Sequence, residues 1–297
     1  MLESEIIKIV GKDNLKINEP MMRHTTFKVG GMAKFLVTPR RIDDIIGIVN
    51  WCKSNNIYYC ILGNGSNVLV KDSGIDGVVI KIASNFSSID VSDTRIRADA
   101  GALLVTIAKK ALEASLGGFE FASGIPGTLG GAIVMNAGAY GREMKDVVLE
   151  TKVLTMDGEI VTLTNEQHEF KYRDSLIQEN NYIVLESTLE LYNDDKQKIK
   201  DYMIELQKKR MDSQPLKYPN AGSTFKRPEG YFAAKLIQDA GLKGYEIGGA
   251  MVSTKHAGFI INKGNATADD ILNLISYVKN TVYDKFGVIL EPEVKNI

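Results

Sequence analysis

Eight glycines fall within the 25 residues from Gly117 to Gly141, and that density limits how this part of the chain can fold more than any other feature does. Within it, Gly124-Ile125-Pro126-Gly127-Thr128-Leu129-Gly130-Gly131-Ala132 sets repeated glycines beside one proline, a composition that fixes a backbone which a flat ligand can approach closely. Asn136-Ala137-Gly138-Ala139-Tyr140-Gly141 continues the pattern. Tight packing of a helix on a sheet also uses glycine, but a single pair serves it, so the density favours ligand contact. A second loop, Gly63-Asn64-Gly65-Ser66-Asn67, lies between apolar, strand-like runs. Its composition suits backbone N–H groups turned inward on an anion, and also suits a bare hairpin. It is not a dinucleotide fingerprint, which needs Gly-x-Gly-x-x-Gly opening a helix, because Val68 begins another strand-like run. No Gly-x-x-x-x-Gly-Lys-Ser/Thr phosphate loop occurs.

With 297 residues the chain exceeds one ordinary core, so two or three domains with a cleft between them are expected. Lys plus Arg (36) nearly balance Asp plus Glu (37), which removes the basic field that dominates nucleic-acid binding and leaves a small molecule as the expected partner. Cys52 and Cys60 form no CxxC pair, and His24, His168 and His256 are scattered. Neither a disulfide framework nor a metal site is indicated, and both thiols read as buried. The first residues carry no apolar leader, and no run of about 18 apolar residues occurs, so a soluble cytoplasmic protein is expected.

Apolar spacing predicts a helix over 42–52 and a strand at 58–62, followed by the Gly63 loop and the run Val78-Val79-Ile80. Beyond Gly101 an apolar helix reaches Leu112. Strands are expected over 147–156 and 183–191, with Asp157-Gly158 as a hairpin signal between Leu154 and Ile160. The segment 194–210 carries Ile199, Tyr202, Met203 and Leu206 at helical spacing, and a domain boundary is placed just after it. Helices are expected over 232–240 and 268–283, the latter capped by Thr267 with Asp270, and a final strand over Val288-Ile289-Leu290.

The strings Leu62-Gly63-Asn64-Gly65-Ser66-Asn67-Val68-Leu69-Val70, Gly124 to Gly131 and Asn136 to Gly141 resemble the FAD-binding stretches of the MurB family of cell-wall precursor reductases. Tyr172-Arg173-Asp174-Ser175, Asn220-Ala221-Gly222-Ser223-Thr224-Phe225-Lys226 and Leu290-Glu291-Pro292-Glu293-Val294 resemble its active-site strings, in family order. The resemblance implies an α+β chain with the vanillyl-alcohol-oxidase/PCMH-type FAD-binding fold, two αβ domains plus a third, substrate-binding αβ domain. Residues 1–80 would form the first FAD-binding subdomain, 81–210 with the returning segment 288–297 the second, and 211–287 the substrate-binding domain. The long insertion of one subgroup is missing between Ser175 and Gly222, so the chain resembles the shorter, second type. Non-covalent FAD would be held by Gly63, Asn64, Gly65, Ser66, Asn67, Gly124, Ile125, Pro126, Gly127, Gly131, Asn136, Ala137 and Gly138. NADPH would supply hydride to reduce the enolpyruvyl ether of UDP-N-acetylglucosamine to UDP-N-acetylmuramate, in a monomer that binds neither nucleic acid nor membrane.

That chemistry sets requirements on residues. Hydride addition beside a carboxylate drives negative charge onto it, which calls for a fixed cation. Arg173 offers a planar, permanently charged fork, although an ion pair with Asp174 is the plain local alternative. The resemblance makes Glu293 a second stabiliser, for which a carboxyl must be protonated by burial or like charge, and otherwise it is a strand-end carboxylate. It makes Ser223 the proton donor, where composition alone reads a turn serine. No His stands near Ser223 in sequence, so a Ser-His hydrolase has no local support. Lys217, Lys226 and Arg227 form a cationic cluster for a diphosphate or a solvated face, and Tyr172 is a further pocket candidate. An oxidase of the same fold acting on an alcohol or hydroxy acid is the alternative, and a nucleotide-sugar-binding module without chemistry is a third. Many such oxidases tether FAD through His or Cys, and the glycine loops carry neither.

Overall fold

The structure, a computed structural model, describes residues 2–297. The chain groups into two compact units, one of residues 1–16, 36–64 and 78–210 and one of residues 17–35, 65–77 and 211–297. Each contains helices and sheet.

In the first unit, the helix Ile42–Ser54 buries Ile45, Ile48, Val49 and Cys52, the stripe that three- and four-residue spacing prescribes. Asp44 starts it by accepting from the backbone N–H groups of Arg40 and Arg41 at 3.0 and 3.2 Å. The strand Tyr59–Leu62 then pairs in parallel with residues 78–81 and delivers the chain to Gly63. A five-stranded antiparallel sheet follows, in the order Ile160–Thr164, Val148–Leu154, Ile183–Glu190, Arg95–Asp99, Ile89–Ser92. The expected turn at Asp157-Gly158 joins its first two strands, with Gly158 at φ 90° and Thr155 N–H donating to Glu159 O at 2.8 Å. The helix Leu104–Glu113 buries Leu104, Ile107, Ala108 and Ala111, and the short helix Leu129–Val134 packs against the strand Ile183–Glu190.

Burial also creates a pH liability here. His168 is fully buried and stacks on Phe170 with ring centroids 4.6 Å apart. Its Nδ1 bonds Thr164 O at 2.7 Å while Nε2 has no partner among the described residues. Burial lowers its pKa against the opposing pull of the Thr164 and Asn165 backbone. The folded chain therefore keeps the ring neutral while the unfolded chain protonates near pH 6.5. This contribution to stability is complete above about pH 6.5 and is lost as pH falls toward the lower folded value. The melting midpoint should drop between pH 7 and 5.5, and His168→Phe should remove part of that drop. An identical pH slope in the variant would contradict this. The slope should not vanish, because burial, helped by Lys243, also lowers His256.

The second unit is built on the helix Ala268–Phe286, which buries Ala268, Ile271, Leu274, Ile275, Val278 and Val282. At about 1.5–3 kcal/mol per buried aliphatic side chain, that stripe anchors the unit. Its start carries the capping box expected of Thr267 and Asp270, and Asp72 adds acceptors for the N–H groups of Ala268 and Asp269, each at 3.0 Å. The helix lies on a three-stranded sheet of Glu246–Ile247, Ala250–Val252 and Ile260–Asn262. The helix Ala233–Asp239 buries Ala233, Leu236 and Ile237 in the same core, which Phe27, Val29, Leu69, Phe225 and Leu290 also fill.

The strand expected over Val288-Ile289-Leu290 is absent. Gly287 ends the preceding helix in the left-handed region, and the next residues run as an unpaired segment with Ile289 69 % exposed and Leu290 buried. Apolar character there reflects one buried side chain, and ladder pairing begins only at Pro292. Lys295–Asn296 then pairs in parallel with Val68–Leu69. Among the described residues, no helix is long and apolar enough to cross a membrane.

Candidate functional site

In the first unit the two glycine-rich stretches meet. A Cβ at Gly63 would overlap Thr128 Oγ1, and Asn64 Nδ2 donates to Pro126 O at 2.7 Å. A Cβ at Gly130 would lie 2.9 Å from Ala100 Cβ, and Gly130 N–H donates to Ala100 O at 2.8 Å. Gly63 and Gly130 are thus glycines because backbone and side chains press on them. Gly131 is different. It is exposed, and only Thr128 Oγ1, at 3.5 Å, comes near the place of its missing Cβ. The neighbouring Leu103 is 38 % exposed and bridges Thr128. The result is an open, nearly side-chain-free backbone surface with an apolar edge.

Beside Gly124 stands a residue that the sequence reading did not single out. Arg210 continues the inward stripe of the helix Lys196–Ser213 after Ile199, Met203 and Leu206, where an apolar side chain would be expected. Its guanidinium reaches the place a Gly124 Cβ would take, 3.1 Å from Nη1, and no described residue forms an ion pair with it. Burial makes its charged form less favourable, and only Tyr140 opposes that. A half-buried cation without a carboxylate suits an anionic ligand group. Its helical spacing from Leu206 was the signal available in the sequence.

Arg173 sits at the tip of a tight turn. Lys171 and Asp174 exchange both backbone hydrogen bonds, at 3.0 and 3.3 Å, and Arg173 between them takes φ 57°. Its guanidinium lies 4.9 Å from the ring centroid of the exposed Tyr172, Nη2 donates to Gly138 O at 3.1 Å, and Nη1 is 3.7 Å from a Glu143 oxygen. Asp174, the local alternative partner, instead accepts from the Ser175 N–H and the Gln178 side chain. Asn136 is fully buried with its amide engaged by protein, and Ala137 is buried behind it. Any part these two play in holding a cofactor belongs to their backbone.

In the second unit Ser223 and Glu293, 70 positions apart, come together. Glu293 N–H donates to Thr224 O at 2.8 Å, Lys226 N–H donates to Glu291 O at 2.9 Å, and Phe225 faces Pro292 in an antiparallel bridge. Ser223 is exposed at the start of this short ribbon. Thr224, fully buried, fixes it by accepting from Ile260 N–H at 3.0 Å and donating its own N–H to Gly258 O at 2.8 Å. Gly222 turns into the ribbon at φ 77°. The same unit brings Asn67 to Glu293, with Nδ2 donating to the Glu293 carbonyl at 3.2 Å. Gly65, at φ 67°, packs on His24 and Thr25, and Ser66 is half-buried beside it. Lys226 pairs with Glu291 at 3.3 Å, Arg227 lies 4.0 Å over the Phe232 ring, and Lys217 is exposed. The basic residues are therefore partly committed to neighbours.

Both cysteines are poor nucleophiles, burial raising Cys52 to about 12 and Cys60 to about 11. Among the described residues no group of three His, Cys, Asp or Glu could hold a metal.

Fold and loop geometry define the class: a family model described as FAD binding domain matches residues 33–164. At 15 % identity and a TM-score of 0.51, covering 66 % of this chain and 44 % of that one, the structure of Phl p 4.0202, a glucose dehydrogenase, shares the fold alone. A second model, UDP-N-acetylenolpyruvoylglucosamine reductase, C-terminal domain, matches residues 214–297. The chain is 52 % identical over 290 residues to the UDP-N-acetylenolpyruvoylglucosamine reductase of Clostridioides difficile, covering 98 % of this chain and 95 % of that one. The crystal structure of the Thermus caldophilus reductase (MurB) superposes with a TM-score of 0.81 at 34 % identity, covering 95 % and 97 % of the two chains. The chain belongs to the UDP-N-acetylenolpyruvoylglucosamine reductase family.

Proposed function

We propose that the chain is an NADPH-dependent FAD enzyme that reduces the enolpyruvyl ether of UDP-N-acetylglucosamine to UDP-N-acetylmuramate for peptidoglycan synthesis. Near-complete coverage of relatives that carry this name supports the reading above all. The open Gly131 surface, its apolar edge and the uncompensated Arg210 fit a flat, anionic cofactor. When bound, FAD would supply the hydride chemistry that links NADPH to the substrate double bond.

The protein's own residues handle charge and proton. Arg173 binds the substrate carboxylate, holding the negative charge that builds there. Ser223 Oγ donates its proton to the carbon that receives no hydride, and Glu293 supports the developing charge. Arg210 and the backbone of Gly63 to Asn67 and Gly124 to Gly131 hold the cofactor, with Ala137 and Gly138 backing it. Lys217, Lys226 and Arg227 carry the substrate diphosphate, and Tyr172 is a further substrate contact. The site works in a cytoplasmic monomer.

Incubation with NADPH and the enolpyruvyl substrate should consume the two in equal amounts and give a product two hydrogen atoms heavier. Oxygen uptake on a simple alcohol without NADPH would favour the oxidase. Neutralising Lys217, Lys226 and Arg227 together should weaken substrate binding roughly tenfold at low salt, since three charges at or near the surface contribute about 0.5 kcal/mol each. Added salt should reproduce part of the loss. Unchanged affinity at low ionic strength would make these residues a solvated face.

A further inference from the structure

We infer that Glu143, seated by Asn136, is a positioning residue that sets the orientation of the Arg173 guanidinium, an inference that rests on the role proposed for Arg173. A non-glycine residue at φ 57° on a turn tip is strained and persists only where its surroundings hold it. The holding surface is the hairpin formed by Gly138–Ala139 and Arg142–Glu143. Arg173 lies across both of its strands, bonded to Gly138 O at 3.1 Å on one and 3.7 Å from Glu143 Oε1 on the other. The two side chains are only 18 % and 20 % exposed, so their attraction is less screened than that of a surface pair.

Glu143 is itself fixed. Its second oxygen accepts from Asn136 Nδ2 and Lys145 Nζ, both at 3.0 Å. A Cβ at Gly138 would come 2.7 Å from Glu143 Cγ, so glycine there makes room for the Glu143 stem. Asn136 spends its amide on the same joint, donating also to Lys171 O at 3.0 Å and accepting from Lys145 N–H at 3.0 Å. One buried amide thus ties the hairpin to the turn that carries Arg173. Charge also fits. The Glu143 carboxylate stands between two cations, Lys145 at 3.0 Å and Arg173 at 3.7 Å, and so can aim Arg173.

The test uses the FAD-loaded enzyme carrying Glu143→Gln, Glu143→Asp, Arg173→Lys and the Gln/Lys double variant, with each half-reaction followed anaerobically. In Glu143→Gln, bleaching by NADPH should stay within about twofold of wild type, and substrate affinity within about threefold. Return of colour with substrate should slow by roughly 10–100-fold, the loss expected from misaiming a group that acts in the transition state. Glu143→Asp should recover part of the rate. Added to Arg173→Lys, Glu143→Gln should cost less than about twofold further, because its effect passes through Arg173. Wild-type recolouring in Glu143→Gln, with Arg173→Lys slow, overturns the inference alone. Equal losses in both backgrounds also overturn it. Wild-type recolouring in Arg173→Lys overturns the role of Arg173 and the inference with it. Should Glu143→Gln fail to retain FAD, the cycle runs on Glu143→Asp, where slowing confined to the Arg173 background supports the inference and a wild-type rate overturns it.

Discussion

Ser223→Ala should leave the bleaching of the enzyme by NADPH close to wild type and slow its recolouring by the enolpyruvyl substrate by about 10²–10⁴-fold, the range for loss of a positioned acid. The two steps separate because hydride transfer from NADPH needs no proton at the substrate carbon. Misfolding does not explain such a split, since Ser223 is exposed while the neighbouring Thr224 carries the structural bonds. Ser223→Cys should recover part of the rate, its thiol standing in nearly the same place. Rapid mixing under anaerobic conditions resolves the steps. A wild-type recolouring rate in Ser223→Ala, with correctly protonated product, would make Ser223 a turn residue.

Gly65→Ala should lower the melting midpoint by roughly 6–12 °C and reduce FAD retention, from a destabilisation of about 3 kcal/mol. Two costs add at this position. A side chain at φ 67° carries left-handed strain of about 1–2 kcal/mol. The new Cβ would also overlap the His24 carbonyl oxygen and lie 3.0 Å from Thr25 Cα, and that is backbone that cannot swing away. Gly141→Ala is the control, since Gly141 has φ 85° but nothing within 4 Å of a Cβ. It should show the strain alone, about half the loss or less. Equal effects at the two positions would mean that the His24 contact relaxes freely.

Much of this was legible because the signals are local. The apolar stripe of Ile45, Ile48, Val49 and Cys52, the Asp157-Gly158 hairpin and the Thr267 capping box each depend on residues within a few positions, and each is present. Val288-Ile289-Leu290 failed as a strand for the complementary reason: apolar character does not create a neighbour to pair with, and Gly287 leaves the chain in a loop. The joining of Gly63 to Thr128 and of Ser223 to Glu293 was accessible only through family resemblance, because their spacing carries no period. Arg210 and Glu143 were missed because charged residues on a helix and in a hairpin read as solvated faces. What distinguishes them is a missing partner in one case and a guanidinium partner 30 positions away in the other.

The central claim, a flavin enzyme that moves hydride from NADPH to an enolpyruvyl ether, is tested most directly by the visible absorption of the purified protein. Acid precipitation should release FAD into the supernatant, because neither glycine loop holds a His or Cys to tether it. In the native, oxygen-free enzyme NADPH should bleach the flavin band, and one equivalent of the enolpyruvyl substrate should restore it with formation of UDP-N-acetylmuramate. A protein that cannot be loaded with FAD, or one whose band bleaches with NADPH but does not return with that substrate, would contradict the account.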